Sequence, residues 1–292
     1  MRIATLRLGE RESAAVSGAK GYVPLGEIFS FLGKPWTPSL QWLLENRKFR
    51  ELHQWFQAEG EHFFRRYEGH YIAPEEARYA PLYRRPPKIW GIGLNYVDHA
   101  ADLAEKAPNT EPASFMKTAN TVIGPGDTIR IPLQSSGTTA EAELGIVFGD
   151  IGREVSRENW LSCVAGFTTV IDMTAEDILR KNPRYLTRSK CFDTFFSFGP
   201  ELVTPDEIPE VMNLKVATII NGAVHAENVV SNMTFPPDYL VSFHSQVFPW
   251  EPGDILSTGT PRAVHIAHGD VVACRIEGFR TLVNPVEDCK AP

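Results

Sequence analysis

Three acidic residues have the types and spacing that a divalent cation would use. Glu141 and Glu143 lie in Glu141-Ala142-Glu143-Leu144-Gly145-Ile146-Val147-Phe148, which alternates as a β-strand does. Side chains at i and i+2 leave a strand on the same face, so the two carboxylates share that face and repel one another. Asp172 closes the apolar run Ala165-Gly166-Phe167-Thr168-Thr169-Val170-Ile171. Three anionic oxygens suit a hard cation, octahedral Mg²⁺ or Mn²⁺ ahead of Ca²⁺, with coordination positions left for substrate and water. Spacing alone leaves the plainer readings open. Glu-x-Glu also occurs on solvated strand faces, and an Asp before a helix also serves as an N-cap.

Other residues could give such a cation work to do. His99 and Asp102 are three apart in a segment that reads as a helix from Asn95 to Glu105, which puts them on one face. A carboxylate beside an imidazole orients it and raises its basicity, as a general base requires. Lys190, in Ser189-Lys190-Cys191-Phe192-Asp193-Thr194, could neutralise an oxyanion. The turn Thr258-Gly259-Thr260-Pro261 offers backbone N–H groups and a hydroxyl to a carboxylate. Gly91-Ile92-Gly93-Leu94-Asn95-Tyr96 is not a dinucleotide fingerprint, because Tyr96 occupies the third glycine position.

The elements that must position these residues follow from periodicity and turn chemistry. Residues 1–83 read as a small N-terminal α+β domain: a strand from Ile3 to Leu8, another near Tyr22-Val23-Pro24-Leu25, and a helix around Phe49, Leu52 and Phe56. Pro81-Leu82-Tyr83-Arg84-Arg85-Pro86-Pro87 should end regular structure. Residues 84–292 read as β-rich. Strands are expected over Lys88 to Gly93, Thr128 to Ile131, Glu141 to Phe148, Val164 to Ile171, Ile255 to Thr258 and Val271 to Ile276. Asn221-Gly222 predicts a hairpin between Asn213 to Ile220 and Ala223 to Val230. Helices are expected over Thr174 to Arg180 and Pro237 to Phe248.

Composition bounds the function. The 292 residues are 43% hydrophobic and 22% charged, ordinary for a globular chain with a sizeable core. A net charge of −7 with interleaved signs argues against a nucleic-acid surface, though not against anionic substrates, since a bound cation reverses the local field. Cys163, Cys191, Cys274 and Cys289 form no C-x-x-C pair and read as free thiols. No signal-peptide core and no apolar run of membrane-spanning length are present, so the expected protein is soluble and cytoplasmic.

Taken jointly, these segments resemble the fumarylacetoacetate hydrolase family from about Lys88 to Pro285. The resemblance rests on the segments around His99, Glu141, Asp172, Lys190 and Thr260 and on Val122-Ile123-Gly124-Pro125-Gly126-Asp127, in matching order and spacing. It implies an α+β, mostly-β fold, a mixed β-sandwich roll behind a small variable N-terminal domain, commonly assembled as a homodimer. It implies Glu141, Glu143 and Asp172 as ligands of one Mg²⁺ or Mn²⁺ per subunit, His99 and Lys190 as catalytic groups, and Asp102 where many members carry Glu. Thr260, Gly259, Tyr96 and Asn95 become substrate-binding candidates, and Leu179 stands where many members have Gln. The implied substrates are small 2-oxo acids. The implied reaction is hydrolytic cleavage of a C–C bond in a 2,4-dioxo acid of acylpyruvate type through a metal-stabilised enolate. Decarboxylation, dehydration or hydration, and isomerisation are alternatives on the same apparatus, and a metal-containing binding protein is the non-enzymatic one. A serine or cysteine hydrolase is disfavoured: there is no Gly-x-Ser-x-Gly elbow, and Cys191 has no obvious paired base.

Overall fold

A computed structural model describes residues 1–96 and 110–291. The strands in chain order are β1 (Arg2–Leu8), β2 (Arg11–Gly18), β3 (Gly21–Pro24), β4 (Ile89–Gly93), β5 (Ala113–Lys117), β6 (Val122–Ile123), β7 (Ile129–Ile131) and β8 (Thr138–Phe148). They continue with β9 (Val164–Ala175), β10 (Phe196–Val203), β11 (Lys215–Ile220), β12 (Ala223–Val229), β13 (Ile255–Ser257), β14 (Val264–His265), β15 (Val271–Ile276) and β16 (Leu282–Asp288). The larger sheet runs β3-β2-β1-β10-β9-β8-β13-β4-β5, with β14 also on β8 and β6 also on β10. The smaller runs β12-β11-β15-β16-β7. Both sheets mix parallel and antiparallel pairs, as the mostly-β expectation holds.

The central pair β8–β9 is buried on both faces, and its alternation sorts side chains between two cores. Ala142, Leu144, Ile146 and Phe148 of β8, with Ile171 and Met173 of β9, join a core shared with Val216, Val272 and Leu282 of the smaller sheet. Val147 and Val170 point the other way, into a core with Phe196, Phe198 and the helical residues Leu25, Leu43 and Leu52. Glu141, Glu143 and Asp172 share the parity of Val147 and Val170. The acids therefore lie on the sheet face turned away from the smaller sheet.

Residues 1–83 add to the main sheet, because β1 pairs antiparallel with β10 in the register Ile3↔Leu202 and Ala4↔Glu201. The segment from Pro81 to Pro87 carries no helix or strand. The hairpin forms as predicted between β11 and β12, with Asn221 and Gly222 both at positive φ. The helix expected from Thr174 begins instead at Glu176 and ends at Lys181. Thr174 and Ala175 remain in β9 because β8 extends back to Thr138 and pairs with them, so ladder bonds override the helical pattern. The helix expected from Asn95 also differs at its start, since Tyr96 forms a β-bridge with Met233. The rest of that segment, with His99 and Asp102, lies outside the described residues.

Candidate metal centre and its cavity

The register of β8 on β9 sets Glu141 opposite Asp172 and Glu143 opposite Val170, so three acids on two adjacent strands face one point. Their ligand oxygens all lie within 4.8 Å of one another, and all three residues are buried. Hard anionic oxygens at that separation fit a divalent cation of the Mg²⁺ or Mn²⁺ kind.

Two buried lysines partly balance the acids. Lys190, last residue of the helix Leu186–Lys190, donates from Nζ to Asp172 Oδ2 at 2.7 Å and lies 3.3 Å from Glu141 Oε2. Lys117, at the end of β5, donates to Asp172 Oδ1 and to the Met173 carbonyl. Burial works against both ammonium groups. For Lys190 the fields of Asp172, Glu141 and Glu143 prevail and hold its pKa above the ordinary lysine value. For Lys117 burial prevails over Asp172, and its pKa falls. Glu143 has the opposite problem. Burial first, then Asp172 and Glu141, push its carboxyl up to about 8. Its Oε2 accepts from the Ser257 hydroxyl at 2.5 Å and from the Gly259 N–H at 2.8 Å, while Thr174 donates to Glu141 Oε1 at 2.6 Å.

Beside the acids opens a cavity of about 420 Å³, with Glu141, Thr174, Lys190 and Thr260 in its wall. Thr260 lines this cavity, and its hydroxyl donates to the Arg262 carbonyl at 3.1 Å. The Gly259 N–H is spent on Glu143, so the carboxylate held by this turn is the chain's own. The turn needs glycine, since φ is +98° and a Cβ would sit 2.7 Å from Asn95 Cβ. Asn95 likewise differs from a ligand-binding amide. It donates to the Phe235 and Thr258 carbonyls at 3.0 and 2.8 Å and accepts from the Phe235 N–H, which ties the end of the β4 segment to the Thr258 turn. Just before it, Leu94 lines the cavity in the left-handed region at φ +55°, an arrangement those bonds help to fix. Tyr96 is fully buried, and its hydroxyl has no hydrogen-bond partner among the described residues. Burial and the nearby Glu143 raise its pKa.

Sequence reasoning did not single out Lys117 or Ser257. Alternation on β5 puts Lys117 on the face of Phe115, whose ring passes so close to Gly91 that a Cβ there would meet it at 2.2 Å. Ser257 is two residues before Gly259 on the strand that enters the turn. Both signals are visible afterwards, but neither names its acid.

Fold and site define an enzyme class whose members act on small oxo acids. The chain belongs to the fumarylacetoacetate hydrolase family: residues 88–287 match the family described as Fumarylacetoacetate (FAA) hydrolase C-terminal. Human mitochondrial oxaloacetate tautomerase FAHD2A is 36% identical over 211 residues, 69% of this chain and 67% of that protein. The fumarylacetoacetate hydrolase of Exiguobacterium antarcticum superposes with a TM-score of 0.79 at 25% identity, over 99% of each chain. Maleylpyruvate hydrolase from Sphingobium sp. SYK-6, solved with manganese(II) and pyruvate, also gives 0.79, at 21% identity over 99% of each chain. Among the described residues no helix is long and apolar enough to cross a membrane.

Proposed function

We propose that this chain is an enzyme, dependent on one Mg²⁺ or Mn²⁺ per subunit, that forms and discharges the enolate of a small 2-oxo acid. The observation that carries the reading is the meeting of Glu141, Glu143, Asp172 and Lys190 beside one cavity. The three acids would hold the cation, whose charge supports negative charge on a 2-oxo oxygen. Lys190, kept protonated by its acids, brings a second positive charge to the same wall, where an enolate oxygen would develop. The Thr260 hydroxyl, turned away from the Arg262 carbonyl it now bonds, is the proposed donor to the substrate carboxylate. His99, oriented by Asp102, is the proposed base. It would take a proton from C3 as the C2–C3 double bond forms and deliver it to the 2-oxo oxygen, giving the enol, with the reverse transfer restoring the keto form. Lys117 positions Asp172 by taking its other oxygen.

Keto–enol tautomerisation is the reaction we favour. It needs no water or other co-reactant, and the human relative at 36% identity is named a tautomerase. Hydrolysis of a 2,4-dioxo acid is the second reading, supported by the likeness to the Exiguobacterium antarcticum hydrolase. There His99 would take a proton from water, the hydroxide would attack the C4 carbonyl, and the C3–C4 bond would break to release C4 as a carboxylic acid and C1–C3 as the pyruvate enolate, which takes its proton back at C3. Following the family, the assembly would be a homodimer of the 32.6 kDa chain, which sedimentation would register.

The decisive assay follows enol absorbance of 2-oxo acids and pyruvate release from 2,4-dioxo acids, with Mg²⁺ or Mn²⁺ and after chelation. Chelated protein that turned over these acids at an undiminished rate would sink the reading. His99→Ala should lower kcat by about 10²-fold or more, with cation binding retained.

A further inference from the structure

We infer that the cavity selects 2-oxo acids whose far end is uncharged and apolar, and disfavours those with a second carboxylate, through Glu176 and Leu179. This inference rests on the reading of the centre as a 2-oxo acid site and names the substrate class within it.

Among the described residues, the polar side chains of the wall near the acids are Thr139, Thr174, Lys190 and Thr260. Beyond them the wall changes character. The helix Glu176–Lys181 and the segment after it contribute Leu179, Pro183 and Leu186, and β4 and β5 contribute Ile92 and Phe115. Hydrocarbon of this kind returns nothing to a carboxylate stripped of water, while it gains from burying methylene or aryl carbon.

Besides Glu141 and Lys190, two charged side chains among the described residues line this cavity, and they are already joined. Arg180 donates from both Nε and Nη2 to one oxygen of Glu176, at 3.1 and 2.7 Å. Glu176 is only 7% exposed, and His265 Nε2 lies 3.5 Å from its other oxygen. A second substrate carboxylate reaching Arg180 would have to share the guanidinium with Glu176 and would stand beside it as a like charge, so the arginine's positive charge is already offset where that carboxylate would lie. Leu179 offers no donor to compensate. The chain would therefore differ in substrate from its 36%-identical relative, whose name carries the dicarboxylate oxaloacetate.

The test compares two enolisable 2-oxo acids, phenylpyruvate and oxaloacetate, on the Mn²⁺-loaded full chain. The readout is the ratio of their kcat/KM values for keto–enol interconversion. The expected ratio favours phenylpyruvate by roughly tenfold or more, and both Glu176→Gln and Leu179→Arg move it toward oxaloacetate by roughly tenfold. Replacing Glu176 frees Arg180 and also removes a helix contact. Leu179→Arg adds a cation without removing any polar bond, so it carries the comparison even where the first variant folds poorly. A wild-type preference for oxaloacetate, or a ratio that neither variant moves, overturns the inference and leaves the enolate reading standing. Failure to turn over either compound or any 2,4-dioxo acid, with no Mn²⁺-dependent binding by calorimetry, removes the reading beneath it and the inference with it.

Discussion

Two regions of the larger sheet bury carboxylates, and they balance them differently. At the seam with the leading strands, Glu201 of β10 accepts from the Tyr22 hydroxyl, which lies 3.1 Å from the Tyr79 hydroxyl. Arg280 Nε and Arg2 Nη1 stand 3.8 and 3.9 Å from its carboxylate. One acid there meets one phenol, itself bonded to a second, and two guanidinium groups. At the centre of the same sheet, three acids meet the two ammonium groups of Lys117 and Lys190. The surplus appears in the proton affinity of Glu143, raised to about 8 by burial and by its acidic neighbours. A seam whose buried acid is fully countered by cations holds two parts of a sheet together. A centre with unmatched negative charge retains capacity for a cation.

The change that should break this comparison most severely is Asp172→Asn. Asp172 is the one acid bonded to both lysines. An amide keeps the shape but leaves two buried ammonium groups without their main counter-charge. We expect a loss of about 3–5 kcal/mol in urea unfolding, together with loss of metal-dependent turnover. A variant of wild-type stability would show that the lysines are solvated and that the central balance is not electrostatic. Next in size is the cation itself. At about one hundred times its dissociation constant, Mg²⁺ or Mn²⁺ should raise the unfolding free energy by about 2.7 kcal/mol. Thermal melts with and without chelator measure that increment, and its absence would leave the three acids without a ligand.

How much of this was legible in sequence follows from which interactions are local. The shared face of Glu141 and Glu143 needed only the two-residue period of a strand. The opposition of Glu141 to Asp172 needed the β8–β9 register, which the family resemblance supplied and periodicity could not. Lys117 pairs with an acid 55 residues away, and nothing within the segment Ala113–Lys117 marks that partner. The Gly259 N–H in the Thr258–Pro261 turn binds a carboxylate, but it is that of Glu143, and chemistry alone does not tell a ligand's carboxylate from the chain's own. The helix after Asp172 was placed two residues early, since Thr174 and Ala175 have their fate decided by β8 rather than by their own sequence. The pairing of β1 with β10 is likewise a contact across some two hundred residues, beyond any local pattern.

The seam offers the control. Glu201→Gln should cost about 1–3 kcal/mol, since a buried phenol loses a charged acceptor and Arg280 a counter-charge. The cation increment and the turnover should both persist in that variant. If Glu201→Gln abolished the increment, the two regions would be one electrostatic unit and the contrast between them would fail.

The last test concerns Glu143, where the sign of the effect rather than its size tests the surplus. The folded protein holds a proton on Glu143 up to about 8, against an ordinary value of 4.5. Between those values the folded chain binds a proton that the unfolded chain has released. The contribution of Glu143 to stability is thus present below about pH 4.5 and is lost as pH rises toward 8. Cation-free wild type should therefore lose stability across that window relative to Glu143→Gln, which has no such proton. The amide oxygen can still accept from Ser257 and Gly259. At pH 8 in chelator the variant should be the more stable protein, although it lacks the cation increment and turns nothing over. Urea curves at pH 5, 6.5 and 8 read the difference directly. A variant less stable than wild type at pH 8 would mean that Glu143 is a structural acid like Glu201, and that its negative charge is already balanced by the protein.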